Sequence, residues 1–152
     1  MKGTNMKKIF TTMFFIMITA FLSFLIAAPI VNDSIAKKTA AELANLPLPD
    51  HTELVESVYQ AGKLIGNGNG MQYFGALLIK SNLPLEELKK YYSNFAENEW
   101  DCIVEQQMRT EINVIEHGNL AFQTEIAGDN YYIVYSWGDN DTIFHDFDIR
   151  GH

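Results

Sequence analysis

The sequence predicts an α+β fold in which an antiparallel β-sheet of about six strands packs against one main amphipathic helix. A single N-terminal transmembrane helix precedes this domain. Three observations predict the arrangement: residues 9–31 carry no charged side chain, short strand-like runs alternate with glycine and asparagine turns, and one run has apolar residues at helical spacing. The predicted order after the membrane segment is β-β-α-β-β-β-β.

The N-terminal hydrophobic segment is long enough to cross a membrane. It covers the 23 residues from Ile9 to Val31 without a charge, and a bilayer core of roughly 30 Å needs about 20 residues of helix. A backbone in lipid must satisfy its own hydrogen bonds, so a helix is the expected form. Residues 9–31 are therefore predicted to be a transmembrane helix, with the lipid bilayer as the partner of this segment.

Charges on either side of the segment predict its orientation. Three lysines lie in residues 1–8, whereas Lys37 and Lys38 follow the segment. Lysine and arginine are enriched on the cytoplasmic side, so residues 1–8 are predicted to be cytoplasmic. The protein is then a single-pass protein of the cell membrane with its domain outside. Ser34-Ile35-Ala36 is a small-x-small sequence, so the alternative is a secreted protein that is cleaved near Ala36.

The segment after the membrane helix is predicted to be a stalk. Good helix formers fill much of residues 32–46, so the stalk is partly helical. Pro47 and Pro49 end this helix, because proline cannot continue it without losing a hydrogen bond. Residues 47–152 form the predicted extracytoplasmic α+β domain.

The domain is strongly acidic. It holds seventeen Asp or Glu residues against six Lys or Arg residues, a net charge of −11. This charge argues against binding nucleic acid, because that binding depends on cations that neutralise phosphates. The chain has one cysteine, so no internal disulfide supports the domain and its stability must come from its core.

Two strands and a hairpin are predicted at the start of the domain. Residues 52–65 form the first strand, residues 71–81 form the second, and Gly66-Asn-Gly-Asn-Gly70 lies between them. Asn and Gly accept positive φ and are frequent in hairpin turns. The second strand has apolar residues on both faces, so we expect it to be central and covered on both sides. The turn lacks the Lys and Ser or Thr of a phosphate-binding loop.

Residues 83–95 are predicted to be the main amphipathic helix. Pro84 suits the first helical position, and Glu86 and Glu87 then lie in the first turn, where the helix dipole favours acidic residues. Glu86 and Lys90 are spaced for an ion pair. The apolar residues that recur at helical spacing are Leu85, Leu88, Tyr91 or Tyr92, and Phe95.

Shorter strands are predicted in the second half of the domain, where turn residues break the chain frequently. They cover residues 100–106, 111–115, 120–126 and 131–137. The tail is predicted to hold a short strand or a helical turn around residues 143–149.

Four sequence blocks, residues 46–57, 62–76, 85–88 and 132–137, carry a resemblance. The most specific is Gly-Asn-Gly-Asn-Gly-Met-Gln-Tyr-Phe-Gly at residues 66–75. With them the chain resembles a family of small uncharacterised bacterial proteins that have one N-terminal transmembrane helix and an α+β extracytoplasmic domain. The resemblance spans most of residues 7–152. It implies the fold and the membrane helix, and it assigns no catalytic residue.

Acidic and imidazole side chains in the tail are candidate ligands of a cation, since both groups bind divalent metals. These candidates are Asp139, Asp141, His145, Asp146, Asp148 and His152. The spacing of an EF-hand is absent, and Asp146 and Asp148 alternate with apolar residues as in a half-buried edge strand. A solvated surface is the favoured interpretation, so neither a metal nor another cofactor is predicted.

Two further groups of residues bear on function. Cys102 lies in an apolar alternation after Trp100, which favours a small core residue over a reactive thiolate. No Gly-x-Ser-x-Gly elbow occurs, and no catalytic residue is predicted. Tyr131, Tyr135 and Trp137 form a candidate interaction surface, although cross-strand packing explains these aromatic residues equally well.

The function predicted from these patterns is a non-catalytic extracytoplasmic binding or interaction module with a protein partner. Whether the chain is an enzyme stays open. One alternative is a small hydrolase-like surface enzyme, which requires polar side chains that converge in a pocket. Another is an accessory subunit of a membrane complex that uses the transmembrane helix itself.

Overall fold

The protein is described by a computed structural model that covers residues 3–66, 70–116, 118–139 and 142–152. Its two α-helices are α1 (Gly3–Ala44) and α2 (Leu85–Tyr92). The strands are β1 (Thr52–Gly62), β2 (Gln72–Ser81), β3 (Ile103–Gln106), β4 (Glu111–Ile112), β5 (Leu120–Ala121) and β6 (Tyr131–Gly138). Two short 3₁₀ turns, His145–Phe147 and Ile149–Gly151, follow β6.

The strands form two antiparallel sheets. The larger has the order β1-β2-β6-β3, and β4 and β5 form a separate pair. The predicted α+β class is confirmed, as is the order of the elements up to β6. The antiparallel pairing of β1 with β2 makes their connection a hairpin, in which Gly66 has a φ of 84°. The centre of the predicted turn, residues 67–69, lies outside the described residues.

β2 is the central strand of the core. Nine of its ten residues are buried, all except Lys80. Its side chains alternate between two hydrophobic clusters, with Leu77 and Ile79 on one face and Phe74 and Leu78 on the other. The two helices cover the first face, and the segment that contains β4 and β5 covers the second. The prediction of a doubly covered strand is therefore confirmed.

α1 has two parts with different surroundings. We call residues 6–27 the exposed half, because most of its large apolar side chains face outward. We call residues 28–44 the packed half, because it lies against β1, β2 and β6. One stripe of the packed half is buried at spacings of three and four residues, and it consists of Ala28, Asn32, Ala36, Ala40 and Leu43.

The prediction that residues 32–46 form a stalk outside the domain is wrong. α1 continues through Pro29 to Ala44, and its last four turns belong to the domain core. The reason is a close approach between α1 and β2. A Cβ added to Gly75 would lie 2.8 Å from the Ala40 Cα, so the helix rests on bare backbone at this point. The domain therefore begins at Ala28 and not at Pro47.

Several predicted boundaries differ from those in the structure. The strand predicted at 100–106 begins only at Ile103, because Cys102 has a φ of 54° and ends the turn before it. The strands predicted at residues 111–115 and 120–126 are only two residues long in the structure. Pro84 precedes α2 in an extended conformation and is not its first residue. In α2, Glu86 pairs with Lys89 at 3.0 Å, three residues on, where the sequence predicted Lys90.

Candidate binding surface

A small cleft on the β4–β5 side of the large sheet combines apolar and aromatic side chains. Its volume is about 230 Å³. The lining residues come from β6 and from two loops that lie beside it, and they are Leu64, Ile65, Asn113, Val114, Tyr135 and Trp137. The loops are joined by backbone hydrogen bonds, from Ile65 N–H to the Val114 carbonyl at 2.9 Å and from Glu116 N–H to the Lys63 carbonyl at 2.7 Å. The cleft walls are therefore held by backbone pairing.

Tyr135 and Trp137, which line the cleft, each contact a further aromatic ring. The rings of Trp100 and Trp137 are 4.4 Å apart between centroids. The backbone N–H of Trp137 donates a hydrogen bond to the backbone carbonyl of Trp100 at 3.0 Å. Trp100 is 45% exposed, so this pair presents an aromatic face to solvent. Tyr135 packs on Phe74, and its hydroxyl donates to Glu105 Oε1 at 3.0 Å. Burial and the neighbouring Glu105 carboxylate raise the pKa of Tyr135, so its hydroxyl remains protonated.

The structure brings two of the three predicted aromatic residues together. Tyr135 and Trp137 both line the cleft. Tyr131 lies on the same face of β6 but six residues from Trp137, a separation of about 20 Å along the strand. The Lys80 ammonium lies over the Tyr131 ring at 5.7 Å from its centroid. Trp100, which sequence reasoning had assigned to a strand, is the exposed member of the cleft's aromatic pair.

A second, more polar cavity lies between α1 and the turn before β3. Its volume is about 370 Å³, and Asp101, Cys102 and Ser136 line it. The Ser136 hydroxyl accepts a hydrogen bond from the Cys102 N–H at 2.9 Å and donates to the Asp101 carboxylate. These bonds hold the strained turn at Cys102. They therefore have a structural role in placing the start of β3.

The cysteine of the polar cavity is held in its unreactive thiol form. Burial, and then the charge of Asp101, raise the pKa of the Cys102 thiol to about 12, so the thiol is protonated near neutral pH. The described residues that line the cavity include no histidine or lysine to act as a base for Ser136. The cavity does hold three carboxylates, those of Glu42, Glu97 and Asp101, and the Asp101 carboxylate accepts the hydrogen bond of the Ser136 hydroxyl.

The candidate metal ligands of the tail have other contacts. Asp148 is buried and binds Arg150 and Asn32, while His145 accepts a hydrogen bond from the Met71 N–H at 2.7 Å. Asp146 and His152 are exposed. Asp141 lies outside the described residues. Among the residues that the structure describes, no three His, Cys, Asp or Glu side chains come together in a metal-binding group.

Sequence reasoning missed a buried polar network that joins α1 to the tail. Asn32 is fully buried; its amide donates to Asp148 Oδ2 at 3.0 Å and its carbonyl oxygen accepts from the Tyr73 hydroxyl at 2.9 Å. Arg150 donates to Asp148 at 2.7 Å and to Asp33 at 2.7 Å. The expectation of an edge strand at Asp146 and Asp148 is wrong, because Asp148 turns inward to these partners.

Charge keeps this network in its ionised form. Burial raises the pKa of Asp148, but the hydrogen bonds from Arg150 and Asn32 outweigh burial and hold that pKa below its ordinary value. The hydrogen bond to Asp148 raises the pKa of Arg150 despite the opposing effect of burial. The pair is therefore ionic throughout the physiological range.

Fold and site together define an α+β protein with one helix that is long and apolar enough to cross a membrane. Comparison with protein-family models, with curated proteins and with solved structures found no match.

Proposed function

We propose that this chain is a single-pass protein of the cell membrane whose extracytoplasmic domain is a non-catalytic binding module for a protein partner. The observation that carries the proposal is the contrast between the two halves of the unbroken helix α1. Its exposed half has apolar side chains on its surface, and its packed half belongs to the domain core. An apolar surface as long as a bilayer is unfavourable in water, and residues 9–31 match the length of a span. Membership of the resembled family of bacterial membrane-anchored proteins is part of the same proposal.

The packed half supports a retained anchor over a cleaved signal peptide. Ala36, which precedes the candidate cleavage position, is fully buried inside a helix and packs against Ala61 and Tyr73. Cleavage after Ala36 would remove this buried side chain from the core. Cleavage would also remove Asn32 and Asp33, which bind Asp148 and Arg150. The folded protein therefore depends on the segment that cleavage would discard.

The distribution of lysines supports the proposed orientation. Lys7 and Lys8 lie at the N-terminal end of the exposed half, and Lys37 and Lys38 are exposed on the packed half. With Lys2, the N-terminal side has the larger number of lysines, and the side with more positive charge favours the cytoplasm.

The aromatic cleft is the proposed binding surface for the partner. Trp and Tyr are enriched where proteins recognise each other, because they offer large contact areas at a small cost in side-chain entropy. Trp100, Trp137 and Ile65 form such an area, and Ile65 is 59% exposed. The strongly acidic domain favours a partner with basic groups around its apolar contact.

Co-purification from detergent-solubilised membranes tests the binding role. We expect the unchanged chain to recover a specific protein partner and Trp100→Ala to lose it. Met108→Ala is the matched control, because Met108 is 61% exposed and lies next to the Tyr131 end of β6, away from the cleft. Repeated recovery of the chain alone, or equal recovery with Trp100→Ala, would contradict the proposed function.

A further inference from the structure

The C-terminal tail, residues 142–152, lies alongside α1 at the junction of its two halves. The Phe24 ring stacks on Phe144 at 4.7 Å between centroids and meets Phe147 edge-on at 4.8 Å. Further along α1, Arg150 binds Asp33. The tail therefore reaches back from the domain onto the exposed half of the helix.

The tail exposes large apolar side chains at this position. Ile149 is 86% exposed, Ile143 is 70% exposed and Phe147 is 44% exposed. Burying aliphatic and aromatic side chains of this size is favourable, because it removes apolar surface from water. Phe147 and Ile149 lie on the two 3₁₀ turns and Ile143 lies just before the first. Three such exposed groups, next to a polar network that faces inward, indicate a surface that contacts an apolar medium.

The depth of Phe24 in α1 identifies that medium. A span that begins at Ile9 and crosses roughly 30 Å at 1.5 Å per residue ends at about Pro29. Phe24 then lies about 7 Å inside the hydrocarbon boundary, and Asp33 lies about 6 Å outside it. The neighbouring Phe21 and Ile26 are exposed on the same half of the helix. Through Phe144 and Phe147, which contact Phe24, the apolar surface of the tail is continuous with the exposed half of α1.

We propose that the C-terminal tail is a second membrane contact, in which Ile143, Phe147 and Ile149 insert into the interfacial region of the bilayer that α1 spans. This inference rests on the proposed membrane anchorage. The side chain of Asp146 is 84% exposed between these residues, and its carboxylate remains at the level of the polar headgroups. Insertion is therefore driven by apolar burial and needs no anionic lipid.

Spin labelling of the full-length chain in phosphatidylcholine nanodiscs tests the inference. One nitroxide is attached at a time, to Ile149→Cys, to Ile16→Cys in the exposed half, or to Met108→Cys on the far end of the domain. Cys102 is buried with a protonated thiol, so the unsubstituted chain serves as the labelling blank. The measured quantity is the ratio of collision with oxygen to collision with a water-soluble nickel chelate.

We expect the oxygen-to-nickel ratio at position 149 to be several-fold higher than at position 108 but lower than at position 16, because position 16 lies deeper in the hydrocarbon core. An aqueous ratio at 149 together with a lipid-like ratio at 16 would overturn the tail contact alone. Aqueous ratios at both positions would overturn the anchorage as well. Low collision with both reagents at 149 would mean that protein covers the tail, which also overturns the lipid contact.

Discussion

The two halves of α1 are built from similar helix geometry but differ in what their side chains meet. The exposed half carries large apolar residues that point outward, such as Phe10 at 75% exposure and Met17 at 69%. The packed half buries a stripe of small residues and one asparagine against the sheet. Hydropathy is therefore highest in the half that the domain does not use. Close packing of small residues and hydrogen bonds thus hold the packed half against the sheet. The large apolar side chains lie on the surface of the exposed half.

The largest expected effect on the stability of the domain comes from truncating α1 at two different positions. A chain that begins at residue 27 keeps the whole packed half and should fold as a soluble domain. A chain that begins at Lys37 loses Ala28, Asn32 and Ala36, so it should show no cooperative unfolding. The loss exposes Met71 and Tyr73 and leaves buried polar groups unpaired, at about 1–3 kcal/mol for each such group.

Denaturant unfolding followed by tryptophan fluorescence measures this difference. Both tryptophans, Trp100 and Trp137, belong to the domain, so the signal reports the domain alone. A native N-terminus at Lys37 in the mature protein, found by N-terminal sequencing, would contradict both the predicted dependence on residues 28–36 and the retained anchor.

Gly75→Ala should produce the next largest effect, because the new methyl group would meet the backbone of Ala40 and that backbone cannot move without separating α1 from β2. We expect a loss of about 3 kcal/mol in the free energy of unfolding. Gly138→Ala is the matched control, since nothing lies within 4 Å of its added Cβ. If both variants unfold at the same denaturant concentration, the helix does not rest on β2 at this position.

Asn32→Leu sharpens the comparison between the halves at a single residue. The substitution leaves Tyr73 and Asp148 without their shared partner, and we expect a loss of about 2–4 kcal/mol in the free energy of unfolding. Met17→Leu, in the exposed half, should change this free energy by less than about 0.5 kcal/mol. Equal effects of the two substitutions would contradict the division of α1.

The smallest expected effect is a pH dependence of the tail attachment. The pKa of Asp148 is lowered in the folded protein, so its contribution is fully present above the unfolded-state value of about 3.9. It is lost as the pH falls through the lower folded-state pKa. The unfolding free energy of the wild type should therefore converge toward that of Asp148→Asn only below about pH 4. A difference that disappears between pH 5 and pH 7 would contradict the ion pair with Arg150.

The sequence predicted elements whose signals are local. The 23 uncharged residues from Ile9 to Val31 predicted a long apolar helix, and apolar residues on both faces predicted the doubly covered β2. The Gly-Asn repeat predicted the β1–β2 hairpin for the same reason, since the conformational preferences of Gly and Asn act within a few residues.

The errors arose where partners are distant in sequence. Asn32 interrupts the apolar stripe of the packed half, so the pattern resembles a solvated stalk. Its partner Asp148 is 116 residues away, and nothing near Asn32 indicates that contact. The same holds for the cleft. β6 has a local aromatic pattern, but the contact between the Trp100 and Trp137 rings requires the turn at Cys102, whose φ is positive.

The contacts of the tail span the part of α1 that contains Pro29. Proline has no N–H, so the carbonyl of Leu25 loses its helical hydrogen bond and α1 has its natural bending point there. The tail contacts α1 on both sides of this point. Phe144 stacks on Phe24 before the proline, and Arg150 binds Asp33 after it. Arg150 also donates a hydrogen bond to the Pro29 carbonyl at 3.2 Å. Bending at Pro29 would have to break these contacts together. These contacts therefore oppose a change in the angle between the exposed half of α1 and the domain.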